Sequence, residues 1–211
     1  MTSAEWYFDF VSPFCYLQLE RLAEIEKRAR LLPRPVLLAG ILNERRQLGP
    51  AEVPGKRRFT YRFVQWLAER ERIPLRFPPS HPFNPIKALR LAIVVGNRIE
   101  PLRTIFQHVW RDGRTLDDPS DWRHLCNQLA VPDADNRIND PAVKAELRAN
   151  GVAALAAGLF GVPSLVVAGE VFWGADATAM AVDFLDDPGR FAAGEFARLN
   201  SLPVGVERPR A

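Results

Sequence analysis

Strand-forming character in this chain is confined to its two ends, and that separation restricts the fold more than any other feature. Residues 6–11 are aromatic and apolar, and Val36-Leu37-Leu38-Ala39 follows a Pro-flanked turn. The pattern then lapses until Ser164-Leu165-Val166-Val167-Ala168 and Val171-Phe172-Trp173, which a Gly169-Glu170 turn joins as a hairpin. Isolated strand pairs are marginal in water, so the two ends are expected to share one sheet. Between the first two strands, residues 14–30 carry Cys15, Leu19, Leu22, Ile25 and Ala29 on one helical face, and Ser12-Pro13 is a strong helix start. A β-α-β opening implies a parallel pair.

The middle reads as helices only. Phe59, Phe63, Trp66 and Leu67 mark one apolar face; Ile86, Leu89 and Ile93 a second; Leu102, Ile105, Phe106, Val109 and Trp110 a third. Asp121-Trp122 and Asp140-Pro141 look like two further starts, and residues 77–85 are too Pro-rich for regular structure. A last helix carries Ala177, Met180, Ala181 and Phe184 and stops at Asp187-Pro188-Gly189. The fold class is therefore α/β: a small mixed sheet in the order β-α-β … β-β-α, interrupted by an all-helical insertion. The expected division is residues 1–50 and 158–200 for the sheet domain, 51–157 for the insertion and 201–211 for an irregular tail.

Composition narrows the function classes. With 47% hydrophobic and 25% charged residues the chain is globular rather than disordered. Its 28 basic and 25 acidic residues leave only +3, too little and too scattered for a phosphate-tracking stripe, so nucleic acid is not an expected partner. Cys15 and Cys126 lie too far apart in the chain to suggest a disulfide framework or a zinc site, and His81, His108 and His124 lack neighbours at ligand spacing. The histidines are accordingly placed on loop or helix surfaces, and no metal is expected. The opening Met1-Thr2-Ser3-Ala4-Glu5 has no export pattern and no later stretch suits a membrane span, which points to a soluble protein of the reducing cytoplasm.

Three features should meet at one edge of the sheet. Ser12 stands at the start of the first helix, where open amides favour an anion; on its own it also reads as a simple cap. Gly161-Val162-Pro163 precedes a buried strand; a cis Val162-Pro163 bond would turn the Val162 backbone outward to clasp an extended peptide, whereas a trans Pro would mark only a strand start. Gly174-Ala175-Asp176 opens the last helix, where Asp176 is either an ordinary first-turn acid or a partner for an ammonium group. Together they describe a receptacle for a small peptide with a thiol near one end and an α-amino acid group at the other, which is the layout of glutathione.

The run Tyr7-Phe8-Asp9-Phe10-Val11-Ser12-Pro13-Phe14, with Phe160-Gly161-Val162-Pro163 and Phe172-Trp173-Gly174-Ala175-Asp176, resembles the 2-hydroxychromene-2-carboxylate isomerases. These are relatives of kappa-class glutathione transferases and, more remotely, of DsbA thiol oxidoreductases. The resemblance implies a thioredoxin-like fold, glutathione as cofactor, a homodimer, and Ser12 facing the glutathione sulfur. It places Val162, Pro163, Gly174, Ala175 and Asp176 at the cofactor. Gln47 stands where relatives carry an Asn, and Lys56 where they carry a Lys; Lys56 either meets the glycyl carboxylate or is a solvated surface residue. Ala177 departs from the Arg of relatives. A flat aromatic substrate would have Phe14, Phe83 and Trp173 as walls, with Asn84 or Arg57 for polar contacts; core packing is the other reading of the three aromatics.

The implied chemistry is reversible addition of a thiolate to a conjugated carbon of the chromene carboxylate, ring opening, bond rotation and release. The readings that remain beside it are a kappa-type glutathione transferase or peroxidase acting on electrophiles, and a DsbA-like oxidoreductase or peptide-binding module. Cys15 occupies the second position of a Cys-x-x-Cys motif whose first Cys is Ser12, so no intramolecular disulfide can cycle there. Lowering a thiol pKa by about two units needs roughly 2.7 kcal/mol. A hydroxyl donated to a charged group gives about 1.5–3 kcal/mol and a helix N-terminus about 0.3–2 kcal/mol. Ser12 and its helix are sufficient in magnitude.

Overall fold

A computed structural model describes residues 2–206 of the chain, and residues 207–211 of the expected tail lie outside them. In chain order the elements are β1 (Ser3–Phe8), α1 (Pro13–Leu19), α2 (Leu22–Glu26), β2 (Arg30–Pro35), α3 (Leu38–Glu44) and a 3-10 turn (Pro50–Glu52). Then come α4 (Pro54–Glu71), α5 (Ile86–Val94), α6 (Ile99–Trp110), α7 (Pro119–Gln128), α8 (Ala134–Arg137) and α9 (Pro141–Ala156). The chain closes with β3 (Ser164–Val167), β4 (Glu170–Trp173), α10 (Thr178–Asp186), α11 (Pro188–Phe191) and α12 (Gly194–Leu199).

One four-stranded sheet in the order β2-β1-β3-β4 joins both ends of the chain. β1 pairs parallel with β2 and antiparallel with β3, as the β-α-β … β-β-α order requires. β3 and β4 form the expected hairpin, with Ala168 and Gly169 both at positive φ in its two-residue turn.

Three expectations shift. The second strand lies at Arg30–Pro35 rather than 36–39. Pro33 and Pro35 are tolerated because β2 is an edge strand, where missing N–H groups cost no ladder partner. The apolar run at 36–39 instead leads into α3. The single helix expected over 14–30 breaks at Glu20-Arg21 into α1 and α2. There Arg21 donates to the Ala175 carbonyl at 2.8 Å and pairs with Glu71 of α4, fastening the first helices to the far end of the chain. In α4 the face expected to be buried is turned outward: Val64 and Ala68 face the core, while Phe59 is 67% exposed and Phe63 and Trp66 are exposed beside it.

The core runs continuously from sheet to helices around one aromatic cluster. Trp6 stacks on Phe8 at 4.4 Å, Phe8 meets Phe10 at 5.4 Å, and Phe106 of α6 reaches Phe10 at 4.5 Å and Trp6 at 6.1 Å. These residues alternate along β1 and its extension, so one sheet face carries all three rings. Phe106→Ala should cost about 3–5 kcal/mol by emptying the middle of this cluster. Urea unfolding should show a lowered midpoint with an unchanged slope.

Candidate functional site

Sheet register assembles the site. Tyr7 lies opposite Ser164, and Ser164 opposite Trp173. The end of β1 that leads to Ser12, the start of β3 that follows Pro163 and the end of β4 that leads to Gly174 therefore share one edge. The three expected features meet there although about 150 residues separate the first from the others.

The loop carrying Ser12 has its backbone groups individually engaged. The Phe10 carbonyl accepts from Trp110 Nε1 at 2.8 Å, the Val11 amide donates to Asp9 Oδ1 at 3.0 Å, and the Ser12 amide donates to the Asp9 carbonyl at 3.1 Å. Ser12 is in the N-cap position of α1 with extended backbone, yet its side chain makes no capping bond, which corrects the sequence reading. Pro13 removes one amide donor from the first turn. The hydroxyl is not spent on the helix amides, and the group it faces inside the protein is the Cys15 thiol. Ser12 is buried, only 6% exposed, at the end of the sheet where the three features meet. Because α1 stops at Leu19, its dipole is short and any anion stabilisation falls mainly to the hydroxyl.

Beneath the loop sits Asp9, wholly buried and absent from the sequence-based candidates. Its carboxylate accepts from Leu38 N at 2.8 Å at the start of α3, as well as from Val11 N. Burial raises its pKa to about 7, with the amides of Leu38, Val11 and Phe10 pulling the other way. Cys15 is buried and unpaired, and burial pushes its thiol far above the ordinary value, against the pull of the Asp9 backbone and the Ser12 hydroxyl. A thiol held protonated is a poor nucleophile, so Cys15 packs as a small hydrophobe.

On the opposite side of the edge, the Val162–Pro163 bond is cis, and the ladder begins only at Ser164. Among the described residues the Val162 amide and carbonyl have no backbone partner. Gly161 is required by its neighbour: a Cβ there would sit 2.6 Å from Trp173 Nε1. Trp173 lies over this turn against Phe160, ring centroids 5.1 Å apart, and is 53% exposed. The Gly174 amide donates to the Pro163 carbonyl at 2.9 Å; its φ of +99° and the Asp176 carboxylate folded over it leave no room for a side chain. Gln18 ties α1 to this segment. It accepts from Trp6 Nε1 at 2.7 Å and donates to Gly174 O at 3.2 Å and Thr178 Oγ at 2.9 Å. Asp176 is exposed and precedes α10, which starts at Thr178, two residues later than the sequence suggests.

The remaining candidates divide. Gln47 is exposed in the loop after α3, and Lys56 and Arg57 are exposed in the first turn of α4; Arg57 donates to the Ala51 carbonyl. Phe14 is half-buried with Phe63 at 6.4 Å, at the head of a stacked series in which Phe63 lies 5.6 Å from Phe59 and 5.9 Å from Trp66. Phe83 packs inside the helical block near Trp110 at 6.3 Å, and the Asn84 side chain accepts from Ile86 N at 3.1 Å at the start of α5. Among the described residues Phe14, Phe83 and Trp173 make no ring contact with one another, each packing against different aromatic neighbours. Phe59 and Phe63 are the aromatics beside Phe14. Trp66 also lines a shallow open depression with Tyr61, Arg62, Gln65, Glu69 and Phe77.

His124 keeps the expected helix-surface placement, whereas His81 and His108 depart from it. His81 is half-buried between Tyr61 and the Ser12 loop, and burial lowers its pKa. His108 is buried on α6, where desolvation lowers its pKa, and His124 is exposed on α7. Among the described residues no three His, Cys, Asp or Glu side chains converge as metal ligands, and no helix is long and apolar enough to cross a membrane.

A mixed sheet of this order with a helical segment between its halves, and with a cis-Pro turn facing the N-terminus of the first helix, is the thioredoxin-like fold. Residues 4–186 match the DsbA-like thioredoxin domain, and the chain belongs to that family. It is 28% identical over 191 residues to 2-hydroxychromene-2-carboxylate isomerase of Sphingobium xenophagum, covering 86% of this chain and 95% of that protein. Glutathione S-transferase kappa 1 of Rattus norvegicus is 25% identical over 179 residues, covering 77% and 79% respectively. A solved structure of a 2-hydroxychromene-2-carboxylate isomerase superposes with a TM-score of 0.76 at 22% identity, covering 94% of this chain and 98% of that one. These relatives are enzymes.

Asp9 gives a pH signature. Its pKa is about 7 in the folded chain against 3.8 ordinarily, so between those values the folded state holds a proton that the unfolded state has released. Its contribution to stability should fall as pH rises from about 4 to 7. Asp9→Asn should show a shallower decline than the wild type in urea titrations across that window; parallel declines would assign the effect elsewhere.

Proposed function

We propose that this chain is a glutathione-dependent isomerase acting on 2-hydroxychromene-2-carboxylate-type aromatic catabolites. The observation that carries the reading is the shared edge: a hydroxyl without a capping partner at Ser12, an unladdered peptide at Val162, and a carboxylate at Asp176, aligned by the Tyr7–Ser164–Trp173 register. Likeness to the Sphingobium isomerase over most of both chains supports the same reaction.

Glutathione held at this edge would supply a thiolate nucleophile for reversible addition to a conjugated carbon of the substrate. The chain's own residues hold it and tune it. Ser12 donates its hydroxyl hydrogen to the sulfur, favouring the charged form before addition and after release. The Val162 amide and carbonyl hold the backbone of the extended tripeptide beside Pro163, as an added strand would be held. Asp176, with Gly174 and Ala175, receives the α-ammonium end. Lys56 and Gln47 meet the opposite end from α4 and the loop before it. Phe14 with Phe59 and Phe63 offers the flat apolar surface for the substrate rings, and Arg57 a positive charge for its carboxylate. Phe83, packed against His81, and Asn84, at the start of α5, belong to the side of the site that the helical block forms, and Trp173 covers the cis-Pro turn.

In this reading the sheet domain (residues 1–50 and 158–200) supplies the cofactor site and the helical insertion (51–157) shapes the substrate site. The chain works as a homodimer in the reducing cytoplasm, which suits two buried, unpaired cysteines.

Titration calorimetry with reduced glutathione should show saturable binding at millimolar or lower concentration; absence of heat would overturn the reading. Ser12→Ala should change stability by no more than about 1 kcal/mol and reduce turnover by roughly 10- to 150-fold, the equivalent of about 1.5–3 kcal/mol. Isomerisation of a chromene carboxylate without net loss of glutathione is the expected outcome. Accumulation of a glutathione conjugate would place the chain with the kappa transferases instead.

A further inference from the structure

We infer that His81 is a positioning residue for the Ser12 loop, acting through the hydrogen bond from its ring Nε2 to the Val11 carbonyl. Val11 C=O and Ser12 N–H belong to one peptide unit. Asp9 O holds the amide side of that unit at 3.1 Å, and His81 Nε2 holds the carbonyl side at 2.8 Å. Rotation of this peptide plane changes ψ of Val11 and φ of Ser12, so clamping both its edges fixes the backbone from which the hydroxyl is aimed.

The tautomer follows from the partners. A carbonyl only accepts, so Nε2 carries the hydrogen, and in the neutral ring Nδ1 is an acceptor. Tyr61 Oη lies 2.7 Å from Nδ1 and 2.9 Å from the His81 carbonyl, supplying the donor that holds the ring in this orientation. Packed around it are Phe77 at 6.1 Å, Phe83 at 6.1 Å and Trp110 at 5.4 Å, and Trp110 itself secures the preceding carbonyl, that of Phe10. The titratable or charged groups facing the imidazole are Tyr61 and Arg57 of α4. Burial, with a smaller contribution from Arg57, disfavours the imidazolium against the opposing pull of the Val11 carbonyl, and in the neutral ring it is that carbonyl that selects the Nε2–H tautomer. Two consecutive carbonyls of the Ser12 loop are therefore held by side chains from the helical block, one from the Pro-rich segment after α4 and one from the end of α6. The helical block sets the geometry of the sheet-edge hydroxyl as well as forming the wall beside it.

The functional consequence rests on the glutathione reading proposed above; the positional claim does not. Two measurements separate them. Hydrogen exchange of the ligand-free protein should show about tenfold loss of protection at the Val11 and Ser12 amides in His81→Leu, and near wild-type protection in His81→Gln, whose amide reaches the same carbonyl. With glutathione added, the pH midpoint for thiolate absorbance should rise by about one unit in His81→Leu, a tenfold loss of thiolate at neutral pH, and stay near wild type in His81→Gln. If His81→Leu does not fold, Tyr61→Phe removes only the hydroxyl that orients the ring and should shift both readouts the same way, about threefold. Unchanged exchange in these variants, or equal damage from Gln and Leu, would overturn the inference. Failure of the wild type to bind glutathione would overturn the cofactor reading while the exchange data still decide the role of His81.

Discussion

The antiparallel pairing of β1 with β3 is the constraint on which the rest depends. β1 and β3 are the two inner strands, their pairing is the seam that joins the two ends of the chain, and the β1 residues Trp6 and Phe8 carry the aromatic cluster that receives α6. A period-2 register allows no intermediate positions, because a slip by one residue would turn those rings to the opposite face. With Tyr7 set against Ser164, the Ser12 loop and the cis-Pro turn are placed at one edge by the same interactions that bury the core.

Around that edge the structure solves a backbone problem. The loop between β1 and α1 lies outside regular structure, and its buried carbonyls and amides need partners that no ladder or helix supplies. Here they are supplied by Asp9 from within the loop and by Trp110 and His81 from the helical block. Gln18 and Arg21 do the same for the Gly174-Ala175 segment. Structural polar residues beneath the site thus take the hydrogen bonds that its exposed groups leave free.

Much of the fold was legible in the sequence because hydrophobic period and turn chemistry are local. The hairpin at the end, the helical middle and the first strand all follow from runs a few residues long. The misplacements have local causes too: α4 looked buried along Phe59, Phe63 and Trp66 because aromatic spacing marks an apolar face without saying what covers it. β2 was displaced because Pro33 and Pro35 count against a strand unless its edge position is known. Among site residues, Ser12, Pro163 and Asp176 announced themselves through adjacent Pro and Gly. Asp9 and His81 did not, since an isolated Asp after a strand and a His in a Pro-rich segment carry no sequence mark of the partners that make them matter.

The sequence by itself determined the order of sheet segments and helical block, the Pro before the third strand and the replacement of the first motif cysteine by Ser12, because each is written in residues that are neighbours in the chain, whereas the cis form of the Val162–Pro163 bond was decided by the structure. Only the tertiary structure decided that Phe83 belongs to the helical packing while Phe59 and Phe63 flank Phe14, and that His81 reaches the Val11 carbonyl. Those outcomes depend on how α4, α6 and the segment between α4 and α5 lie against α1. Such packing arises from side-chain shape and hydrogen-bond satisfaction summed over residues far apart in the chain, and no local pattern encodes that sum.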